Sequence, residues 1–267
     1  MSALSQLIGS LTRSLRANRI PLATCPVCGA KAPLLDTVDL NKTCEEARGV
    51  HLPPSGIDVQ YYLCADCSFC FAPALQAWSM NEFEERIYND GYAAIDPDYE
   101  RVRPEGNARM LHQVFGQAPP THLDFGGGSG LMSRLLQAKG WDSRSYDPFV
   151  DRTVKASDLG TFDLVTAFEV FEHVPDVDAL VVGIKALLKP GGLVFFSTLL
   201  SDGEIGMGRP LTWWYASPRN GHISLFSAES LRRLLEDQGL NLRSLSANLH
   251  LACESSTLPS WASRLVR

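Results

Sequence analysis

The stretch HLDFGGGSGLMSRLLQAKGW, His122 to Trp141, decides how this chain is read. It opens on a short apolar segment, His122–Phe125, crosses a cluster of glycines and enters helically spaced apolar residues over Leu131–Ala138. A strand, a glycine turn and a helix in that order begin a nucleotide-binding unit. The core of the turn is Asp124-x-Gly126-x-Gly128-x-Gly130. A dinucleotide fingerprint places its third glycine three residues after the second. Gly127 and Gly130 have that spacing, so spacing alone leaves open a dinucleotide and any other adenosine ligand.

The sequence on either side narrows the choice. Strand and helix patterns alternate from Thr121 onward, as in a parallel sheet covered by helices. Strands are expected at Ser143–Tyr146, Phe162–Phe168, Leu193–Thr198, Leu242–Leu245 and Leu249–Cys253, with helices at Val177–Leu188 and Ala228–Gln238. In SYDPF, Asp147 closes the second strand, 23 residues after Asp124. An acid there can accept both hydroxyls of a ribose. In FDLVTAFEVFEHVPD, Phe162–Asp176, a buried strand runs into Glu169, Glu172 and His173, and LLKPGGLVFFST follows.

Taken in order, HLDFGGGSG, SYDPF, FDLVTAFEVFEHV and LLKPGGLVFFST resemble the class I S-adenosylmethionine-dependent methyltransferases over about residues 105–255. The later GHISLFSAESLRRLLEDQGL is similar to that family too. The resemblance implies an α/β fold: a doubly wound, seven-stranded, mostly parallel Rossmann-like sheet with S-adenosylmethionine as cofactor. It implies that Gly126, Gly128 and Gly130 make room for the ligand, Asp124 stands near its methionine end and Asp147 holds its ribose. Glu169 would end the fourth strand beside the reacting centre, and Ser157 and Asp158 would stand near adenine. Glu172 and His173 either serve that centre or are a structural capping pair.

Methyl transfer is an in-line displacement that needs alignment and, for a hydroxyl or carbon acid, removal of a proton. Histidine is the default base. His222, in the loop SPRNGHISLFS, is the first candidate and His173 the second. Arg209, Trp213, Trp214, Tyr215 and Arg219 form either a wall for a planar or sugar substrate or ordinary loop packing. Tyr88, Tyr92 and Tyr99 are expected in a cap over the ligand.

The N-terminal part carries a different signature. CPVCG (Cys25, Cys28) and CADC (Cys64, Cys67) give C-x2-C-x35-C-x2-C. Two such turns supply the four thiolates of a closed tetrahedral zinc site, structural in role because no position stays open. Cys70 is an alternative ligand to Cys67, with packing the favoured reading; Cys44 and Cys253 are expected to be structural. Without a dense basic patch, a capping or scaffolding role is preferred to nucleic-acid binding. Cysteine ribbons joined to this fold also resemble bacterial methyltransferases acting on sugars and other small metabolites.

Seven cysteines, an odd number, with two C-x-x-C pairs and no secretory pattern fit reduced thiols in the cytoplasm. The net charge of -6 argues against nucleic acid or an anionic membrane as partner, and no apolar run is long enough for a membrane span. The organisation expected is an amphipathic helix at 1–20, a zinc-ribbon-like module at 21–75, a helical cap at 76–120, the S-adenosylmethionine-binding methyltransferase domain at 121–255 and a tail at 256–267. An organelle transit peptide is the alternative reading of residues 1–20. The function expected is O- or C-methylation of a small-molecule acceptor. The alternatives are an NAD(P)-dependent oxidoreductase on the same sheet and a non-catalytic zinc-ribbon adaptor. The [ND]-P-P-[YF] signature of base-amino methylation is absent after the fourth strand, where FEVFEHV stands.

Overall fold

A computed structural model describes residues 21–116 and 121–262. The helix expected at 1–20 lies outside the described residues. In chain order the strands are β1 (Leu22–Thr24), β2 (Lys31–Asp39), β3 (Asp58–Leu63), β4 (Cys70–Phe71), β5 (His122–Phe125), β6 (Ser143–Tyr146), β7 (Phe162–Phe168), β8 (Leu188–Ser197), β9 (Ser224–Leu225), β10 (Asn241–Ser244) and β11 (Leu249–Cys253). The helices are α1 (Pro73–Gln76), α2 (Met80–Arg86), α3 (Tyr92–Ile95), α4 (Val102–Phe115), α5 (Leu131–Gln137), α6 (Val177–Ala186) and α7 (Ala228–Glu236).

They divide between two compact units. The first takes the described residues through Asp96, with Glu172–Asp176 and Leu200–Ser230; the second takes Pro97–Phe171, Val177–Leu199 and the described residues from Leu231 on.

The second unit is built on a six-stranded sheet in the order β10-β11-β8-β7-β5-β6. Strands β6, β5, β7 and β8 run parallel, while β11 pairs antiparallel with β8 and with β10. The central strand β7 is apolar almost throughout because both faces of a helix-covered parallel sheet are buried. Leu164, Leu193 and Phe195 of the sheet pack with Leu111 and Phe115 of α4 and Leu136 of α5 in one core.

The expected seventh strand is absent among the described residues. The segment after β6 instead holds a 3₁₀ turn at Ala156–Leu159. Val150 and Val154, its branched apolar residues, are 59% and 41% exposed, so the segment has no apolar face to bury on a sheet edge. KPGG, expected to follow the helix that begins at Val177, lies inside β8. That helix ends at Ala186, and the four residues form an irregularity in the pairing with β7.

The first unit is built on an antiparallel sheet in the order β1-β2-β3-β4-β9. Tyr61, Phe69, Phe71 and Phe226 are fully buried in it, the rings of Phe69 and Phe226 lying 5.0 Å apart. Strand β9 joins this sheet from far along the chain, so the segment 200–227 folds with the cysteine-bearing strands. Lys42, in the loop between β2 and β3, fastens that segment by donating to the carbonyls of Trp213 at 2.5 Å and Ala216 at 2.7 Å. Leu211 N–H donates to Asp36, and Cys44 N–H to the side chain of Asn220.

Candidate functional site

Three groups of side chains have the makings of a site. The first is the cysteine group. Cys25, Cys28, Cys64 and Cys67 bring their sulfurs within 4.8 Å of one another. Cys25 and Cys67 Sγ are 3.6 Å apart, and Cys28 and Cys64 Sγ 3.4 Å. A zinc–sulfur bond of about 2.3 Å makes the edge of a tetrahedral site about 3.8 Å, so the donor set fits that ion. The two turns repeat one design. In each, the N–H of the residue after the second cysteine (Gly29, Ser68) donates to the carbonyl of the first, at 2.9 and 3.2 Å. Both of those residues have a positive φ, 72° and 56°. Cys70 stands apart, buried in β4, where burial pushes its thiol up.

The second group is the glycine turn of the second unit. It follows β5 at the point where neighbouring strands leave in opposite directions, β6 to one side and β7 to the other. Open α/β sheets bind ligands at such a switch point, beyond the carboxyl ends of their strands. Gly126, Gly128 and Gly130 have φ of 74°, 53° and 73°. A Cβ on Gly126 would lie 2.5 Å from Val170 Cγ2, and one on Gly127 2.3 Å from Ser145 Oγ. The turn is thus pressed against its own protein, which accounts for much of its glycine content without a ligand.

Asp147 stands at the turn, its Oδ2 accepting the Gly128 N–H at 2.9 Å and its Oδ1 the Phe149 N–H at 2.9 Å. Each carboxylate oxygen has a second lone pair for a ribose hydroxyl. Ser145 Oγ is buried beside the turn with no hydrogen-bond partner among the described residues. This donor set fits an adenosine ligand, and Tyr99 OH stands 3.2 Å from the Cβ position of Gly128.

Asp124 is only 4% exposed, takes a 3.3 Å contact from Thr166 Oγ1, and has its carboxyl raised by burial to about 8. Glu169 is held in the left-handed region at φ 54°. Its Oε1 accepts the Ser197 hydroxyl at 2.7 Å while its N–H donates to the same Oγ at 2.9 Å. A non-glycine residue so placed costs about 1–2 kcal/mol and persists only where its surroundings fix it. Ser157 and Asp158 sit exposed on the 3₁₀ turn.

The third group lies in the first unit and gathers both candidate bases. The rings of His173 and His222 are 4.8 Å apart, inclined at 71°. His222 is 4% exposed and Glu172 not at all. His222 Nδ1 donates to the Tyr215 carbonyl at 2.8 Å, which leaves the ring's lone pair on Nε2. Tyr215 OH donates to Glu172 Oε1 at 2.6 Å, His173 Nε2 lies 3.9 Å from the same oxygen, and Tyr88 OH meets His173 Nδ1 at 3.0 Å.

Tyr215 and Tyr88, expected in a loop wall and a cap, instead complete this group; Lys42, which no motif marks, holds the Tyr215 segment from the carbonyls of Trp213 and Ala216. Of the expected aromatic cap, Tyr88 and Tyr92 fall in the first unit and Tyr99 in the second. Trp213 and Trp214, with Glu204, Arg209, Pro210 and Thr212, line an open cavity of about 470 Å³.

A mostly parallel sheet with a glycine turn after one strand and an acid after its neighbour is the arrangement expected of a class I, S-adenosylmethionine-dependent methyltransferase. A family model described as a methyltransferase domain matches residues 99–245, more than half of the chain. The chain belongs to this methyltransferase family. It is similar to the ubiquinone biosynthesis O-methyltransferase of Chromobacterium violaceum, 30% identical over 152 residues that cover 46% of this chain and 66% of the relative. It is also similar to the protein of that name from Paraburkholderia phymatum, 33% identical over 100 residues that cover 29% and 43%.

The chain thus spans less than two thirds of the length of these curated relatives. Among solved structures, it is similar to the 1,6-didemethyltoxoflavin-N1-methyltransferase of Burkholderia thailandensis at 17% identity and a TM-score of 0.45, covering 70% of this chain and 95% of the other. That likeness is too distant to bear on a substrate. No helix among the described residues is long and apolar enough to cross a membrane.

Proposed function

We propose that the protein transfers the methyl group of S-adenosylmethionine to an oxygen or carbon of a small-molecule acceptor, a sugar or another metabolite. The observation that carries this reading is the Asp147 carboxylate joined to the Gly128 N–H at 2.9 Å, at the switch point of the sheet. When bound, the cofactor supplies an already activated methyl on a sulfonium.

The chain's own residues do the rest. Asp147 accepts the ribose hydroxyls, Gly126 lets the turn pack against Val170, and Gly128 and Gly130 keep the backbone low enough for the ligand to approach. Asp124 sits beneath the turn toward the methionine end. Glu169, anchored on Ser197, fixes the chain end of β7. The acceptor is activated at Glu172, His173 and His222. Acting without a metal, His222 takes the acceptor's proton on Nε2, since its Nδ1–H is committed to the Tyr215 carbonyl. His173 stands beside it as the second proton carrier. The four cysteines hold a zinc ion whose role is to fold the first unit.

The test is transfer of a labelled methyl group into a small-molecule extract, followed by mass spectrometry of the product. The reading expects transfer by the wild type and a loss of about a hundredfold or more in His222→Gln, the size of a general-base contribution. Wild-type rates in His222→Gln would remove that residue from the reaction.

A further inference from the structure

Glu172, His173 and His222 have an arrangement that proton transfer alone does not require. Each presents one ligand atom, and these atoms lie within 4.8 Å of one another. His173 Nε2 and Glu172 Oε1 are 3.9 Å apart, close to the span of two ligands on one cation with bonds of about 2.0–2.2 Å. Glu172 is wholly buried and His222 4% exposed, so the group is not a chance cluster of solvated acids.

The outer atoms are as telling as the inner ones. His222 Nδ1 is held by the Tyr215 carbonyl at 2.8 Å, His173 Nδ1 meets Tyr88 OH at 3.0 Å, and Glu172 Oε1 accepts Tyr215 OH at 2.6 Å. Metal-binding histidines are oriented in this way, with the second ring nitrogen on a carbonyl or another oxygen. Gly221, at φ 90°, lets Tyr88 approach; a Cβ there would stand 2.6 Å from Tyr88 OH and 3.1 Å from His173 Nδ1.

We propose that Glu172, His173 and His222 bind one divalent cation, distinct from the ion of the four cysteines, and that the cation takes the oxygen of a hydroxyl acceptor. Two imidazoles and a carboxylate are a mixed donor set suited to Mn²⁺, Fe²⁺ or Zn²⁺, and three protein ligands leave coordination positions open. The proposal rests on the reading that this cluster activates the acceptor, and it changes the route. The hydroxyl ionises on the cation and its proton leaves to solvent. The oxygen then attacks the methyl carbon; the O–CH₃ bond forms as the S–CH₃ bond breaks, and that electron pair returns to sulfur, turning the sulfonium into a neutral thioether.

Mn²⁺ is the probe, because a four-thiolate site disfavours it while imidazole and carboxylate accept it. The full-length chain is titrated with Mn²⁺ and followed by electron paramagnetic resonance, with zinc content measured by mass spectrometry in parallel. One Mn²⁺ is expected per chain, with affinity weakened about tenfold or more in both His222→Gln and His173→Gln. Retained zinc reports that each variant's cysteine unit is folded. The proposal is overturned if the wild type takes up no Mn²⁺, or if zinc-retaining variants bind it as the wild type does. Should His222→Gln lose methyl transfer in an enzyme that binds no Mn²⁺, the cation falls and the activating cluster stands. Should transfer survive that substitution, the reading beneath it falls as well.

Discussion

His222 Nδ1 donates to the carbonyl oxygen of Tyr215 at 2.8 Å, and the hydroxyl of that same tyrosine donates to buried Glu172 at 2.6 Å. One residue therefore fixes the tautomer of a histidine with its backbone and steadies a buried acid with its side chain. Tyr215→Phe keeps the first contact and removes the second. It should cost about 1–3 kcal/mol of stability, the usual range for a buried acceptor losing its donor. It should lower kcat while leaving S-adenosylhomocysteine affinity unchanged. Urea denaturation and calorimetry check the two halves; an unchanged kcat would make Tyr215 structural only.

Gly221 precedes His222 in the left-handed region, at φ 90°. Alanine there is strained by about 1–2 kcal/mol and drives its Cβ toward Tyr88 OH. Gly221→Ala should displace Tyr88 from His173 and reduce kcat with little change in donor affinity. Steady-state kinetics read the split; loss of donor binding with kcat retained would contradict it.

The cysteines separate by position. Cys67 belongs to the four-sulfur group, whereas Cys70 is buried in β4. Cys67→Ser should lose the metal proposed for that group and loosen the two cysteine turns it joins, because metal binding and local folding are coupled there. Cys70→Ala should keep the metal at a modest cost in stability. Metal content and thermal melting decide; retention of zinc by Cys67→Ser would reassign the ligand to Cys70.

Burial holds the Asp124 carboxyl at about 8, against about 4 in an unfolded chain. Between those values the folded state keeps a proton that the unfolded state has lost. The residue's contribution is complete below about pH 4 and is lost as pH rises through about 8. Asp124→Asn cannot ionise. Cofactor-free wild type should therefore lose stability relative to the variant between pH 5 and 8, as read by urea midpoints at both values (about one unit above the unfolded value and near the folded one). Parallel pH dependence in the two proteins would contradict a buried, protonated Asp124.

Much of the second unit is legible because its signals are local. The apolar run of β7, the glycines after β5 and the acid after β6 each announce themselves within a few residues. The missing edge strand is legible only with its surroundings, since Val150 and Val154 have an apolar pattern yet no sheet face to cover. The cysteine turns are legible from their spacing, although Ser68 adopts the same left-handed φ as Gly29 without the glycine that signals it.

The histidine group is harder to foresee. His173 and His222 are plausible candidates singly, but their pairing depends on β9 joining the sheet of the cysteine unit and on Lys42 gripping the carbonyls of Trp213 and Ala216. Those contacts join residues far apart in the chain, and no periodicity or spacing encodes them.

The most direct test of the account is calorimetric titration of the purified chain with S-adenosylhomocysteine and, separately, with NAD. The account predicts one S-adenosylhomocysteine site per chain, weakened about tenfold or more in Asp147→Ala by loss of charge-assisted hydrogen bonds to the ribose, and no heat with NAD. Binding of NAD without binding of S-adenosylhomocysteine would contradict it.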